Sequence, residues 1–296
     1  MITSPRPGHD LPGHADHELE DHDRGLVFDL ATLDRRQMLK LLGFGGLGAG
    51  LFSLAACAPA GPTLVGSSGA SATSVGASAA AAVGANCAIV PQETAGPFPG
   101  DGSNGPNMLT QSGVVRRDIR PSFGTSSTVA EGVPLAIELT ILDGSGDCAP
   151  LAGAAVYLWH CDRAGNYSLY SAAAADENYL RGVQEADANG LVTFNSIFPA
   201  CYQGRWPHIH YEVYPSLKLA TDEANRIATS QIALPKDVCQ TVYATDGYGQ
   251  SVSNLSQVSL ATDMVFRDGA DQEVGTVSGT VADRLTVALT APVRTA

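Results

Sequence analysis

Basic side chains are scarce in this sequence. Lys and Arg number 17 among 296 residues, against 30 Asp and Glu. Residues 1–56 hold five of the basic and eight of the acidic residues, so the remainder carries 12 against 22 and has no Lys/Arg run. Phosphate binding needs clustered cations, which excludes nucleic acid as a partner. The acidity instead serves solubility. Histidine is equally sparse at seven, and His9, His14, His17 and His22 fall in the acidic stretch HDLPGHADHELEDHDR. With little apolar surface to order it, that stretch reads as a solvated extension rather than a metal site. Only His160, His208 and His210 are left for everything after it. None of the six cysteines forms a C-x-x-C pair, which removes a zinc knot or a thioredoxin-type motif. No apolar run is long enough to be a comfortable membrane span.

What is present near the start is an export signature. DRRQMLK, Asp34 to Lys40, is followed by an apolar, glycine-rich run from Leu41 to Leu54. A charged segment before a short apolar one reads as a leader. Arg35-Arg36 points to the twin-arginine route, with Met38 standing where that leader class usually has Phe. LAAC, Leu54 to Cys57, resembles a bacterial lipobox. The expectation is therefore a leader over 1–57 and an exported, extracellular or cell-envelope protein anchored by lipid at Cys57. Membrane contact would be through that lipid alone. Residues 58–86 are almost wholly Ala, Gly, Ser, Thr, Val and Pro and read as a linker, with a root-mean-square span of roughly 30 Å.

The domain proper is expected over 87–296. LAIELTIL, AAVYLWHCD, GLVTFNSIF and HIHYEVY alternate with a period of two, and SQIAL, DMVF, TVSGTV and RLTVAL continue the pattern. Turn-rich clusters such as DGSGD, ADANG and YQGR separate them. Only PKDVCQTVYA keeps a helical period. The pattern predicts an all-β fold, an antiparallel β-sandwich with few short helices. Export makes disulfides the default state of cysteine. Five remain beyond Cys57, an odd number; the pairs expected are Cys87–Cys148, and Cys239 with either Cys201 or Cys161.

The densest chemistry lies in CYQGRWPHIHYEV, residues 201 to 213. On a strand, His208 and His210 point the same way and Ile209 the opposite way, into the core. Two aligned imidazoles make half of a metal site. By itself His-x-His is weak, and two polar residues on a wet face would look the same. A cupin would want its glutamate further on than Glu212, and a metalloprotease would want H-E-x-x-H, which is absent. A zinc or copper protein using the His208/His210 pair stays open at this point, as does a non-catalytic cell-surface β-sandwich lipoprotein.

Three ordered segments bear on the choice: LWHCDRAGNYSLY, YLRGVQEADANGLVTFNSIFPACY and GRWPHIHYEV. Together with QETAGPF and SQIAL they resemble the intradiol ring-cleavage dioxygenases, across about Cys87 to Leu234. The resemblance implies a mononuclear non-haem Fe(III) held by Tyr167, Tyr202, His208 and His210. It places Arg205 and Gln231 beside a catechol-type substrate that dioxygen opens to a cis,cis-muconate-type product. The partners it implies are a small aromatic diol and dioxygen, with a homo-oligomer left open. The spacing between Tyr202 and His208 is shorter than in long-studied soluble members and looks like an exported branch.

The residue types suit that chemistry. A phenol of ordinary pKa near 10 coordinates only where a strong Lewis acid removes its proton. Fe(III) favours such anionic oxygen, whereas zinc prefers His, Cys and carboxylate. Two tyrosinates and a hydroxide would balance three positive charges. Tyr170 is the rival of Tyr167, and W-H…G-x-Y spacing favours Tyr167. His160 is expected to pack or hydrogen-bond behind the site, with Trp159 in the core.

Overall fold

The computed structural model describes residues 87–295. The expected leader, the lipidation position Cys57 and the linker over 58–86 lie outside the described residues. Two four-stranded sheets form the body. The outer sheet has the order β4-β1-β8-β7, with β1 at Pro134–Asp143, β4 at Leu191–Ile197, β7 at Thr276–Thr280 and β8 at Arg284–Val293. The site sheet has the order β3-β2-β5-β6, with β2 at Ala155–Trp159, β3 at Arg181–Glu185, β5 at His208–Tyr214 and β6 at Ala228–Ala233.

Alternation explains the main core. Ile137 of β1 sits opposite Phe194 of β4 and beside Val287 of β8. These side chains are fully buried and join Val156 and Leu158 of β2, Ile209 of β5 and Ile232 of β6 in one apolar cluster. Each such side chain contributes roughly 1.5–3 kcal/mol on burial. A second cluster covers the other face of the site sheet, where Tyr157, Trp159, Val183 and Tyr214 meet Met108, Leu109, Val114 and Tyr167 from loops. The site sheet is thus buried on both faces, and the outer sheet on one.

One pair departs from the expected antiparallel pattern: β1 and β8 run parallel over Leu135–Asp143. A parallel neighbour needs a crossover, and here the whole site sheet lies between the two strands in sequence. The turn ADANG works as expected. Asp187 Oδ1 accepts from the Asn189 and Leu191 amides, and Gly190 (φ 75°) lies where a Cβ would meet Ile141 O at 2.3 Å.

Between β6 and β7, α1 spans Lys236–Tyr243, where the sequence carries its helical period, and α2 spans Gly249–Leu255. The latter, GQSVSNL, buries only Ser251 and Leu255 and so has no apolar period. DMVF, expected as a strand, is instead a turn leading into a 3-10 helix at Phe266–Asp268. Asp263 Oδ1 accepts from the Val265 and Phe266 amides and closes that turn. RGVQE forms β3, although its alternation is too short to show in sequence. Among the described residues no helix is long and apolar enough to cross a membrane.

Cys87 and Cys148 are disulfide-bonded, as expected. The second expected bridge does not form: Cys161, Cys201 and Cys239 are all free and buried. The thiol of Cys161 faces the Ala200 carbonyl at 3.7 Å and that of Cys201 the Arg205 carbonyl at 3.5 Å, so each is engaged with backbone. Burial pushes the Cys201 thiol up to about 12, which leaves little reactive thiolate.

Candidate metal centre

Three stretches of chain deliver four side chains to one point. β5 supplies His208 and His210, which project from the face opposite Ile209 and are 2% and 3% exposed. Tyr202 comes from the tight turn before β5, where the Arg205 amide donates to Tyr202 O. Tyr167 comes from the loop after β2. There Asp162 Oδ1 accepts from the Ala164 and Asn166 amides, Gly165 takes φ 94°, and the Tyr167 amide donates to Ser171 Oγ. Phe98 packs on the Tyr167 ring with centroids 5.1 Å apart.

The four reactive atoms converge. His208 Nε2 lies 3.3 Å from Tyr167 Oη, 3.2 Å from Tyr202 Oη and 3.1 Å from His210 Nε2. His208 Nδ1 is 2.6 Å from the Trp206 carbonyl, which can only accept. The ring proton is therefore on Nδ1 and Nε2 carries a lone pair. A single lone pair serves one donor, yet three polar atoms crowd it. Such separations are what ligands sharing one ion show when each bond is roughly 2.0–2.1 Å. His210 Nδ1 is buried without a partner, and the His210 ring stacks flat on Trp159, 4.8 Å away at 4°. Gly96 (φ 71°) faces the same ring, where a Cβ would stand 3.4 Å from His210 Cε1.

The electrostatics suit a cation. Burial, and then the neighbouring Arg205, hold His208 well below the ordinary imidazole range. Burial and then His208 do the same to His210. Both rings are neutral and free to donate lone pairs. Burial, followed by the nearby Tyr202, raises the Tyr167 phenol well above 10. The phenols ionise here only against a strong positive charge. Among the described residues no group of three or more His, Cys, Asp or Glu could hold a metal. The donor set is two imidazoles and two phenols, which fits a hard trivalent ion better than zinc.

Arg205 and Gln231 stand beside these four. Gln231 lies directly across from His210 in the β5–β6 register. Its Oε1 accepts from an Arg205 guanidinium NH2 at 2.7 Å, and its Nε2 donates to Thr94 O at 2.9 Å. Burial opposes the charge on Arg205, but the phenol of Tyr202 and the carboxylate of Asp263 outweigh it and raise its pKa. Tyr167, Tyr202, Arg205, His208, His210 and Gln231 are thus brought together. Tyr170 turns away, accepting from the Gly100 amide and donating to Asn104 Oδ1. His160 sits behind the site, with Nδ1 donating to Cys161 O and Nε2 accepting from Ser196 Oγ. Asp263, which sequence reasoning missed, accepts from Arg205 Nε at 3.0 Å. It lies in a segment with no motif, 58 residues from its partner, so no local signal marks it.

Comparison with known proteins narrows the reading. A family model described as Dioxygenase matches residues 105–231. Chlorocatechol 1,2-dioxygenase of Rhodococcus opacus is 38% identical over 64 residues, which is 22% of this chain and 24% of that protein. The chain therefore matches about a quarter of that relative's length. An intradiol ring-cleavage dioxygenase from Tetranychus urticae has the same fold, with TM-score 0.54 and 24% identity over 70% of this chain and 95% of that one. A further solved dioxygenase gives TM-score 0.56 at 23% identity, covering 71% and 95%. Motif order, family match and fold point the same way: the dioxygenase family model matches residues 105–231, and the solved structures of like fold include an intradiol ring-cleavage dioxygenase.

Proposed function

We propose that the protein is an Fe(III)-dependent intradiol dioxygenase. It opens a catechol-type ring with dioxygen between the two hydroxyl-bearing carbons and yields a cis,cis-muconate-type product. Both atoms of dioxygen enter the product. The observation that carries this reading is the convergence of Tyr167, Tyr202, His208 and His210 on one point. Those four side chains would hold the ion. When bound, ferric iron supplies a Lewis acid that gathers the two substrate oxygens and shifts ring electron density so that dioxygen can react.

The chain's own groups do the rest. Tyr202 is half-buried on a turn, whereas Tyr167 is buried and packed against Phe98, so Tyr202 is the phenol that an incoming diol reaches first. As the phenolate that a bound cation would make of it, Tyr202 would accept a proton from the incoming diol. Arg205 is held beside the site by Gln231 and stabilises negative charge as it develops on the ring. His208 stays oriented through its bond to Trp206 O, and His210 through its stack on Trp159. The pairing of Arg181 with the Phe98 and Pro99 carbonyls holds the loop that roofs the centre against water.

The same reading takes the export signature at face value, with the domain delivered outside the cytoplasm and tethered by lipid at Cys57. Replacing Cys57 with Ser should move the protein from the membrane fraction to the soluble one. The test of function is direct. Iron-loaded protein should absorb visible light through tyrosinate-to-iron charge transfer, take up one dioxygen per catechol and release a ring-opened diacid seen by mass spectrometry. A colourless iron-loaded sample, or a product cleaved outside the two hydroxyl carbons, would overturn the proposal.

A further inference from the structure

The segment after Asp246 supplies one buried group that reaches the centre. Asp263 is 0% exposed and accepts four hydrogen bonds. Oδ1 takes the Val265 and Phe266 amides at 2.8 and 3.2 Å. Oδ2 takes Arg205 Nε at 3.0 Å and the Trp206 amide at 2.6 Å. The two oxygens act separately, since one closes a turn of the C-terminal segment and the other grips the chain just before β5.

That grip touches both halves of the site. Arg205 is bound on two sides, by Asp263 at Nε and by Gln231 at NH2, so its planar guanidinium has one orientation. Trp206 is bound at its amide by Asp263, at its indole by Leu234 O and at its carbonyl by His208 Nδ1. From these contacts we propose that Asp263 is a positioning residue: it aims Arg205 at the substrate and fixes the residue that orients His208.

The role given to the aim of Arg205 rests on the dioxygenase reading; the grip itself does not. Asp263→Asn is the informative change. The amide oxygen can still close the turn, but its NH2 then faces two donors, Arg205 Nε and the Trp206 amide, and accepts from neither. Asp263→Glu keeps the charge on a longer arm and serves as the second variant.

Two measurements on the full chain separate the two claims. The first uses metal-free protein labelled with ¹⁵N-arginine. The Arg205 Nε–H should exchange with solvent slowly, unlike that of exposed Arg117, and in Asp263→Asn at least about tenfold faster. Fast exchange in the unaltered protein would overturn the proposal without any variant having to fold. The second follows dioxygen uptake by iron-loaded protein. Asp263→Asn should lower kcat/KM by about 10- to 100-fold with the visible band intact, and Asp263→Glu by less. In an Arg205→Gln background the Asp263→Asn change should add clearly less than it does alone, since the part that acts through Arg205 is already lost and only the Trp206 contact remains. Full additivity would mean a structural role only and would overturn the proposal. If the unaltered protein shows slow exchange but no uptake, the dioxygenase reading falls and the positioning of Arg205 stands.

Discussion

The two sheets solve opposite problems with the same backbone geometry. The outer sheet is apolar on one face and wet on the other, and β7 leaves Thr276, Ser278, Gly279 and Thr280 exposed. The site sheet has no wet face: β2, β5 and β6 are buried at every position. Yet it encloses His208, His210, Glu212, Ser230 and Gln231, all at 3% exposure or less. Buried polar groups cost free energy unless each finds a partner. In this sheet the partners are neighbouring side chains, loop carbonyls and, in the function proposed, an ion. One sheet is held by hydrophobic burial; the other also depends on what its polar groups bind.

The sharpest way to break that distinction is to delete one polar group and one apolar group. His208→Ala removes the atom on which the other three candidate ligands converge. Iron content per chain and the visible band should vanish, and uptake should fall by more than the roughly 100-fold that loss of a supporting partner costs a metal site. Ile137→Ala in β1 should cost about 2–5 kcal/mol in denaturant unfolding and leave the colour of the folded protein unchanged. If Ile137→Ala bleached the protein as well, the two sheets would not be separable.

Arg181 tests whether the roof of the site sheet depends on polar contacts. Its guanidinium is 1% exposed and donates to Phe98 O, Pro99 O, Ser168 O, Ser168 Oγ and Tyr157 Oη. Arg181→Met fills similar volume and strands those acceptors. The unfolding free energy should fall by about 3 kcal/mol or more, because each orphaned buried carbonyl carries its own desolvation penalty. A loss under about 1 kcal/mol would mean that apolar packing alone holds the roof.

His160 joins the two sheets, running from the end of β2 to Ser196 of β4. It is fully satisfied as a neutral ring: Nδ1–H donates to a carbonyl and Nε2 accepts a hydroxyl. Burial lowers its pKa from 6.5 to about 4. Below 6.5 the unfolded chain binds a proton that the folded chain refuses, so stability falls as pH drops from 6.5 to about 4 and this contribution levels off below. The loss attributable to His160 should be about 3 kcal/mol across that window. Urea titrations of His160→Gln against the unaltered chain should show a shallower slope between those limits. Identical slopes would mean that His160 does not titrate on unfolding.

How legible each sheet was in the sequence follows from the same contrast. LAIELTIL and RLTVAL alternate because one face is wet, and both became strands of the outer sheet. AAVYLWHCD and SQIAL were read from the same period, although β2 and β6 are buried at every position. β3 is five residues long and went unseen. The candidate ligands were readable because Tyr202, His208 and His210 are close in sequence and Tyr167 sits in a dense motif. Asp263 was not, since a buried carboxylate bonded across the fold looks like any surface Asp. DMVF failed as a strand for a related reason: its first residue uses its side chain to close a turn, and three apolar letters do not reveal that. The cysteines erred on count: the expected export setting favours pairing, yet these three thiols stay free and buried.

The smallest effect expected is at the free edge of the outer sheet, and it bears on why the sheets differ at all. β7 ends its sheet with Ser278 exposed, whereas β6 ends the other beneath chain that covers it: Glu93 donates its amide to Thr229 O and Ala233 donates to Glu273 O. A covered edge has no room for a charge, and an open one gains from it, since lysine on an edge discourages pairing with a second chain. Ser278→Lys should therefore change unfolding free energy by less than about 0.5 kcal/mol. It should leave the visible band untouched and lower any concentration-dependent association seen by light scattering. A loss beyond about 1 kcal/mol would show that β7 is packed against something, and that the outer sheet, like its partner, has no truly wet edge.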